Sequence, residues 1–223
     1  MSQASGRENT RTVRISLGRS TLDGDLRVPA GAQGVVLFAH GSGSSRHSPR
    51  NRYVAGVLND GGLATLLMDL LTPEEEAADA RSGHLRFDIR LLADRLCAAS
   101  GWLAQEPTTR DLRLGYFGSS TGGGAALVAA ADRPEAIGAV VSRGGRPDLA
   151  GPALAGVKAP TLLIVGGNDV PVIAMNREAL AQLSAEKQLA IIPGATHLFE
   201  EPGTLEEVAR MARDWFIRHL GRA

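Results

Sequence analysis

Cysteine is nearly absent from this chain: Cys97 stands alone among 223 residues. A single thiol excludes an intramolecular disulfide and any cysteine-rich metal site. Within the helix-patterned stretch RLLADRLCAASGWL it reads as a buried, inert side chain. Net charge is also absent, with 24 basic residues against 24 acidic ones. No global field is set up for nucleic acid or an anionic membrane, and neither is expected as a partner. Lysine is scarce, at Lys158 and Lys187 only, so arginine carries the positive charge. No segment approaches the roughly 18 apolar residues of a membrane span. The first eleven residues, MSQASGRENTR, lack the apolar core of a signal peptide. They are expected to form a flexible N-terminus, and a cytoplasmic location is the expectation.

What the chain does contain is a regular alternation of short apolar runs and longer helical patterns. RTVRISL and DLRVP, joined by a turn at Leu22-Asp23-Gly24, read as an antiparallel opening pair. GVVLFAH, ATLLMDL, LRLGYFG, IGAVVSR, TLLIVGG and QLAIIP follow as strands, several of them apolar on both faces, which suits a mostly parallel sheet covered on both sides. Amphipathic helical patterns lie near 50–60, 84–105, 121–132, 172–185 and 204–220. Strand alternating with helix predicts an α/β fold with right-handed crossovers, as one domain over residues 12–223. The acidic stretch LTPEEEAADARSG, residues 71–83, reads as a surface loop. The length leaves no room for a large separate cap, which points to small substrates.

The chemistry is concentrated at Gly118-Ser119-Ser120-Thr121-Gly122, a G-x-S-x-G string set where an apolar strand gives way to a helix. With 27 glycines in the chain the string is weak by itself. Its strand-to-helix context makes it a nucleophile elbow, with Ser120 on a sharp turn between small neighbours. Ser119 is not the centre, because Phe117 would then occupy a glycine position. A serine hydroxyl needs a base and a group to orient that base. Of five histidines, His197 follows the last strand in IIPGATHLF and is chosen as the base. Asp169, delivered by the strand TLLIVGG, is chosen as the acid, with Asp148 second. Donors for an oxyanion are expected from the backbone N–H of Thr121 and of Ser42, then Gly43, in the loop His40-Gly41-Ser42-Gly43. His40 itself is expected to brace that loop.

The stretches HGSGSSRHSPRN, GSSTGGG, SRGGRPD, VGGNDV and PGATHLF together resemble the dienelactone hydrolase-like branch of the α/β-hydrolase superfamily, from about residue 12 onward. The resemblance implies an eight-stranded hydrolase sheet without a cap. It also implies acyl transfer to water with no metal or cofactor, on a small-molecule ester or thioester. Dienelactone hydrolases proper carry a cysteine nucleophile where Ser120 stands here, so a dienelactone substrate does not follow.

Two other readings compete. A hydrolase fold can serve as a non-catalytic binding domain. Gly41-Ser42-Gly43 after a strand, with Asp69 closing the next one, superficially fits a dinucleotide-binding unit, although Arg46 stands at the third glycine position. A last expectation concerns Arg46, Arg50 and Arg52 after the oxyanion loop, and Arg143 and Arg146 after the following strand. Arginine suits two-point contact with a carboxylate, so at least one of them, Arg143 or Arg46 first, is expected to orient an anionic group on the substrate.

Overall fold

Valine, leucine and phenylalanine occupy consecutive positions in the central strands, and every residue of β3 (Val35–Ala39), β4 (Ala64–Met68), β5 (Leu114–Ser119) and β7 (Thr161–Gly166) is buried. Strands buried on both faces need covering layers on both sides. The computed structural model, which describes residues 10–18 and 20–221, provides them. Val36, Phe38, Phe117, Val141 and Ile164 face one layer, formed by α1 (Pro49–Asp60) and α6 (Thr204–Leu220). Leu37, Leu66, Tyr116, Val140 and Leu163 face the other, formed by α3 (Ile89–Leu103), α4 (Thr121–Asp132) and α5 (Val170–Gln182).

The sheet has eight strands in the order β1-β2-β4-β3-β5-β6-β7-β8, where β1 is Thr10–Leu17, β2 Ser20–Arg27, β6 Ile137–Arg143 and β8 Lys187–Ile192. The β1–β2 and β2–β4 pairs are antiparallel and the others parallel. This is the α/β-hydrolase sheet, with no large cap among the described residues. Because β3 to β8 run the same way, the loops after β3, β5, β6, β7 and β8 emerge at one edge, where an open α/β sheet places its site.

Three local expectations differ from the structure. The chain turns at Gly18, after β1, and Leu22, Asp23 and Gly24 sit inside β2, paired with Ile15, Arg14 and Val13. Gly24 serves close packing: a Cβ there would lie 2.9 Å from Leu66 Cδ1. The acidic stretch forms α2 (Pro73–Ser82), with Thr72 and Glu75 exchanging capping bonds and Gly83 ending the helix at φ 64°. The capping box outweighs the surface-loop composition. α4 is not amphipathic, since Thr121 to Ala130 are buried all round. The expected flexible N-terminus falls mainly outside the described residues, while Thr10 and Arg11 open β1. No helix among the described residues is long and apolar enough to cross a membrane.

Candidate active site

Ser120 stands between β5 and α4 with φ 50° and ψ −122°. It and Phe199 are the described non-glycine residues with positive φ. Such a backbone is costly and persists only where the surroundings enforce it. They do so here. A Cβ at Gly118 would meet Gly122 O and Gly123 Cα at 2.5 Å, and one at Gly122 would collide with Ala39 O and reach His40 O at 2.6 Å. The two motif glycines therefore let three chain segments touch. Ser120 N–H donates to Arg143 O at 3.3 Å, while Ser120 O accepts from Gly123 N–H at 2.9 Å and Arg146 N–H at 3.0 Å.

His197 and Asp169 meet at the same edge, with His197 Nδ1 2.6 Å from Asp169 Oδ2. Asp169 occupies the N-cap position of α5, yet its side chain makes no capping bond. Its carboxylate is turned to the imidazole. The loops carrying the pair are stitched together by Asn168, whose N–H donates to Ala195 O and whose Nδ2 donates to Gly194 O, both at 2.9 Å. Asp148, the second choice of acid, accepts two bonds from Arg146, at 2.8 and 2.7 Å. It is engaged elsewhere.

His40 is buried, and its Nε2 accepts from Leu70 N–H at 3.1 Å, so the proton lies on Nδ1, 3.0 Å from Gly41 O. Burial lowers its pKa below the ordinary histidine value. A neutral imidazole thus ties the end of β3 to the segment after β4, as a brace. His47 lies against Arg52 on the surface, and His219 packs against Trp215 with the rings tilted.

The loop after β3 abuts the elbow: a Cβ at Gly41 would sit 3.1 Å from Ser120 Cβ. Ser42 N–H, the expected second oxyanion donor, gives its hydrogen bond to Thr121 Oγ1 at 2.9 Å. An oxyanion must share or displace that bond. Thr121 N–H opens α4, where helical amides have no intrahelical acceptor. Gly43 adopts φ 71°. Ser42, Gly43, His47, Arg50, Arg86 and Thr121 help to line a polar cleft of 640 Å³ beside the elbow.

Arg46 requires a correction. Its side chain pairs with Asp69, with Asp23 and Asp25 each 3.9 Å away, and its N–H donates to Asp69 Oδ1 at 2.8 Å. Three carboxylates hold it in the β2–β4 corner, so it is not available to a substrate. The same contact disposes of the dinucleotide reading, because Asp69 is already bound. Among the described residues Arg143 has no such partner, and it is buried beside Asn51 and Phe199. Neither Asn51 nor Phe199 carried a signal in the sequence. Among the described residues no three His, Cys, Asp or Glu side chains gather as a metal ligand set.

The chain is similar to known proteins in sequence and fold. A Mycobacterium tuberculosis H37Rv protein named "Putative phosphoribosyl transferase" is 61% identical over 208 residues, which are 93% of this chain and 46% of that protein. The chain thus spans about half the length of that curated relative. The crystal structure of a dienelactone hydrolase from Anabaena variabilis is 65% identical, with TM-score 0.93, over 95% of this chain and 98% of that one. Est1E from Butyrivibrio proteoclasticus is 17% identical with TM-score 0.76, over 93% of this chain and 98% of its own, a likeness of fold alone. The model of the Dienelactone hydrolase family matches residues 23–219, a span that takes in the elbow, the His197–Asp169 pair and nearly the whole sheet; the chain belongs to that family.

Proposed function

We propose that the protein is a serine hydrolase that cleaves small carboxylic esters or thioesters through an acyl-enzyme. The observation that carries the reading is the strained Ser120 at the sheet edge that also presents the 2.6 Å His197–Asp169 pair. A non-catalytic domain has no use for a backbone held at that cost.

In the proposed cycle Ser120 Oγ attacks the acyl carbon as His197 Nε2 takes the hydroxyl proton. Asp169 accepts the Nδ1–H bond, which fixes the tautomer and steadies the imidazolium. The charge on the carbonyl oxygen is met by Thr121 N–H and by Ser42 N–H, the latter released from the Thr121 hydroxyl. Collapse breaks the bond to the alcohol or thiol, which leaves with the proton from His197. Water then attacks the acyl-enzyme, again giving its proton to His197, and the acid and free Ser120 are restored. With no large cap, the site favours short acyl groups, because an open cleft cannot collect the up to about 0.8 kcal/mol per buried CH₂ that rewards long chains.

The mycobacterial relative's name belongs to a protein more than twice as long as the shared part, so it does not redirect this reading. A fluorophosphonate probe tests the reading directly. One equivalent should label wild type, with turnover of a para-nitrophenyl ester, and Ser120→Ala should lose both. Full labelling of that variant would place the nucleophile elsewhere.

A further inference from the structure

Other partly buried arginines pair with a carboxylate: Arg46 with Asp69, Arg86 with Asp79 and Arg95 with Glu75. Among the described residues Arg143 does not. It ends β6 in register with Ser119, is 7% exposed, and its Nε and Nη1 are buried without a hydrogen-bond partner. Nη2 reaches Asn51 Oδ1 at 3.4 Å, and the guanidinium carbon lies 5.9 Å from the centre of the Phe199 ring. These contacts orient a cation without neutralising it.

The charge that acts on Arg143 is a second cation, Arg50 of α1. Arg50 also has a buried Nε without a partner, while its Nη1 lies 3.1 Å from Glu200 Oε1. Burial first, and Arg50 next, pull the Arg143 pKa down to about 10, so it remains charged near neutrality. A buried cation with no counter-charge is unfavourable, and a neighbouring cation adds to that cost. Perturbed charges of this kind gather at functional sites. The place is right as well. The Arg143 carbonyl holds the Ser120 N–H, and Arg50 lines the cleft next to Ser42 and Thr121.

We propose that Arg143 and Arg50 together hold an oxyanion group of the substrate, a carboxylate or a phosphate, while Ser120 attacks its ester. The proposal rests on the serine-hydrolase reading of the site and adds the class of substrate to it. The two unused donors of Arg143 supply charge-assisted bonds, and Arg50 sets the group at the cleft wall. Arg46, bound by three carboxylates, takes no part.

The test compares kcat/KM for three para-nitrophenyl esters of similar length: butyrate, hemisuccinate and 3-phosphonopropionate. Wild type should favour at least one anionic ester over butyrate by about tenfold to a hundredfold, the range of one hydrogen bond to a charged group. Added salt should erode the ratio. Arg143→Met and Arg50→Gln should each bring the ratio close to one or below, whereas Arg52→Gln, a surface residue paired with Asp25, should keep it. Which anionic ester gains decides between carboxylate and phosphate. If Arg143→Met does not fold, Arg50→Gln and Arg143→Lys carry the comparison, with Arg143→Lys retaining part of the ratio. A wild type that treats all three esters alike or prefers butyrate overturns the proposal, as does a ratio that survives in both Arg143→Met and Arg50→Gln. Failure of the hydrolase reading looks different, since butyrate is then not turned over and no fluorophosphonate label appears. That result overturns both.

Discussion

Ser120 gives access to the energy stored in the elbow. At φ 50° and ψ −122° it holds a backbone that glycine adopts freely and L residues rarely do. Ser120→Gly should release that strain, and Ser120→Ala should keep it while removing the same hydroxyl. The difference between the variants therefore isolates the backbone. Residues in such conformations cost about 1–3 kcal/mol. Against that, glycine frees the unfolded chain and costs about 0.4–1 kcal/mol relative to alanine. The net expectation is that Ser120→Gly is the more stable of the two by between about 0 and 2.5 kcal/mol, with a centre near 1. In a chain of this length 1 kcal/mol corresponds to roughly 2–4 °C in Tm. Thermal and urea unfolding of wild type and both variants measure it, and both variants should lack turnover. If Ser120→Gly proves less stable than Ser120→Ala by about 0.4 kcal/mol or more, the ordinary glycine cost has gone unopposed and the elbow stores no strain.

Other parts of the site give separate outcomes. Asp169→Asn should fold and lose roughly 10³- to 10⁴-fold in kcat through the wrong imidazole tautomer, while Asp148→Asn, which loses only its pairing with Arg146, keeps its turnover; the reverse pattern would exchange their roles. Thr121→Val removes the hydroxyl that accepts Ser42 N–H but leaves both backbone donors. Turnover should stay within about tenfold of wild type, whereas a loss of about 10²- to 10³-fold would make the hydroxyl itself an oxyanion donor. His40 is held neutral by burial, with a folded pKa below the ordinary 6.5, so the unfolded chain binds the proton more readily. The stability it contributes is full above that ordinary value and is lost as pH falls toward the lowered folded one. In unfolding scans from about pH 8 to about pH 5, wild type should lose more Tm than His40→Asn; parallel curves would show that His40 carries no such linkage.

The layered fold and the elbow were legible from one-dimensional patterns. Runs such as VVLFA and LLIV are apolar at every position, and a parallel sheet covered on both faces follows from that alone. Gly118 and Gly122 flank Ser120 because chains cross there at distances that exclude a Cβ, so the close approach leaves a mark in the string itself. Gly24 shows the limit of the same logic. It serves packing against Leu66 rather than a turn, and a glycine does not state which. The Thr72–Glu75 capping box was equally present in the sequence, but composition pointed to a loop and local hydrogen bonding prevailed.

The sequence by itself determined the succession of strands and helices, the strained serine, and the edge of the sheet at which the chemistry gathers. These depend on side-chain size and polarity within short windows, which the order of residues states directly. The tertiary structure alone decided which charges meet. Arg46 and Arg143 looked alike as arginines near strand ends, yet one lies among Asp23, Asp25 and Asp69 and the other beside Asn51, 92 positions away, with no acid against it among the described residues. Charge pairing is a property of distance in space, and β2, β6, α1 and the segments after β3 and β4 have to converge before an arginine acquires a partner or is left without one.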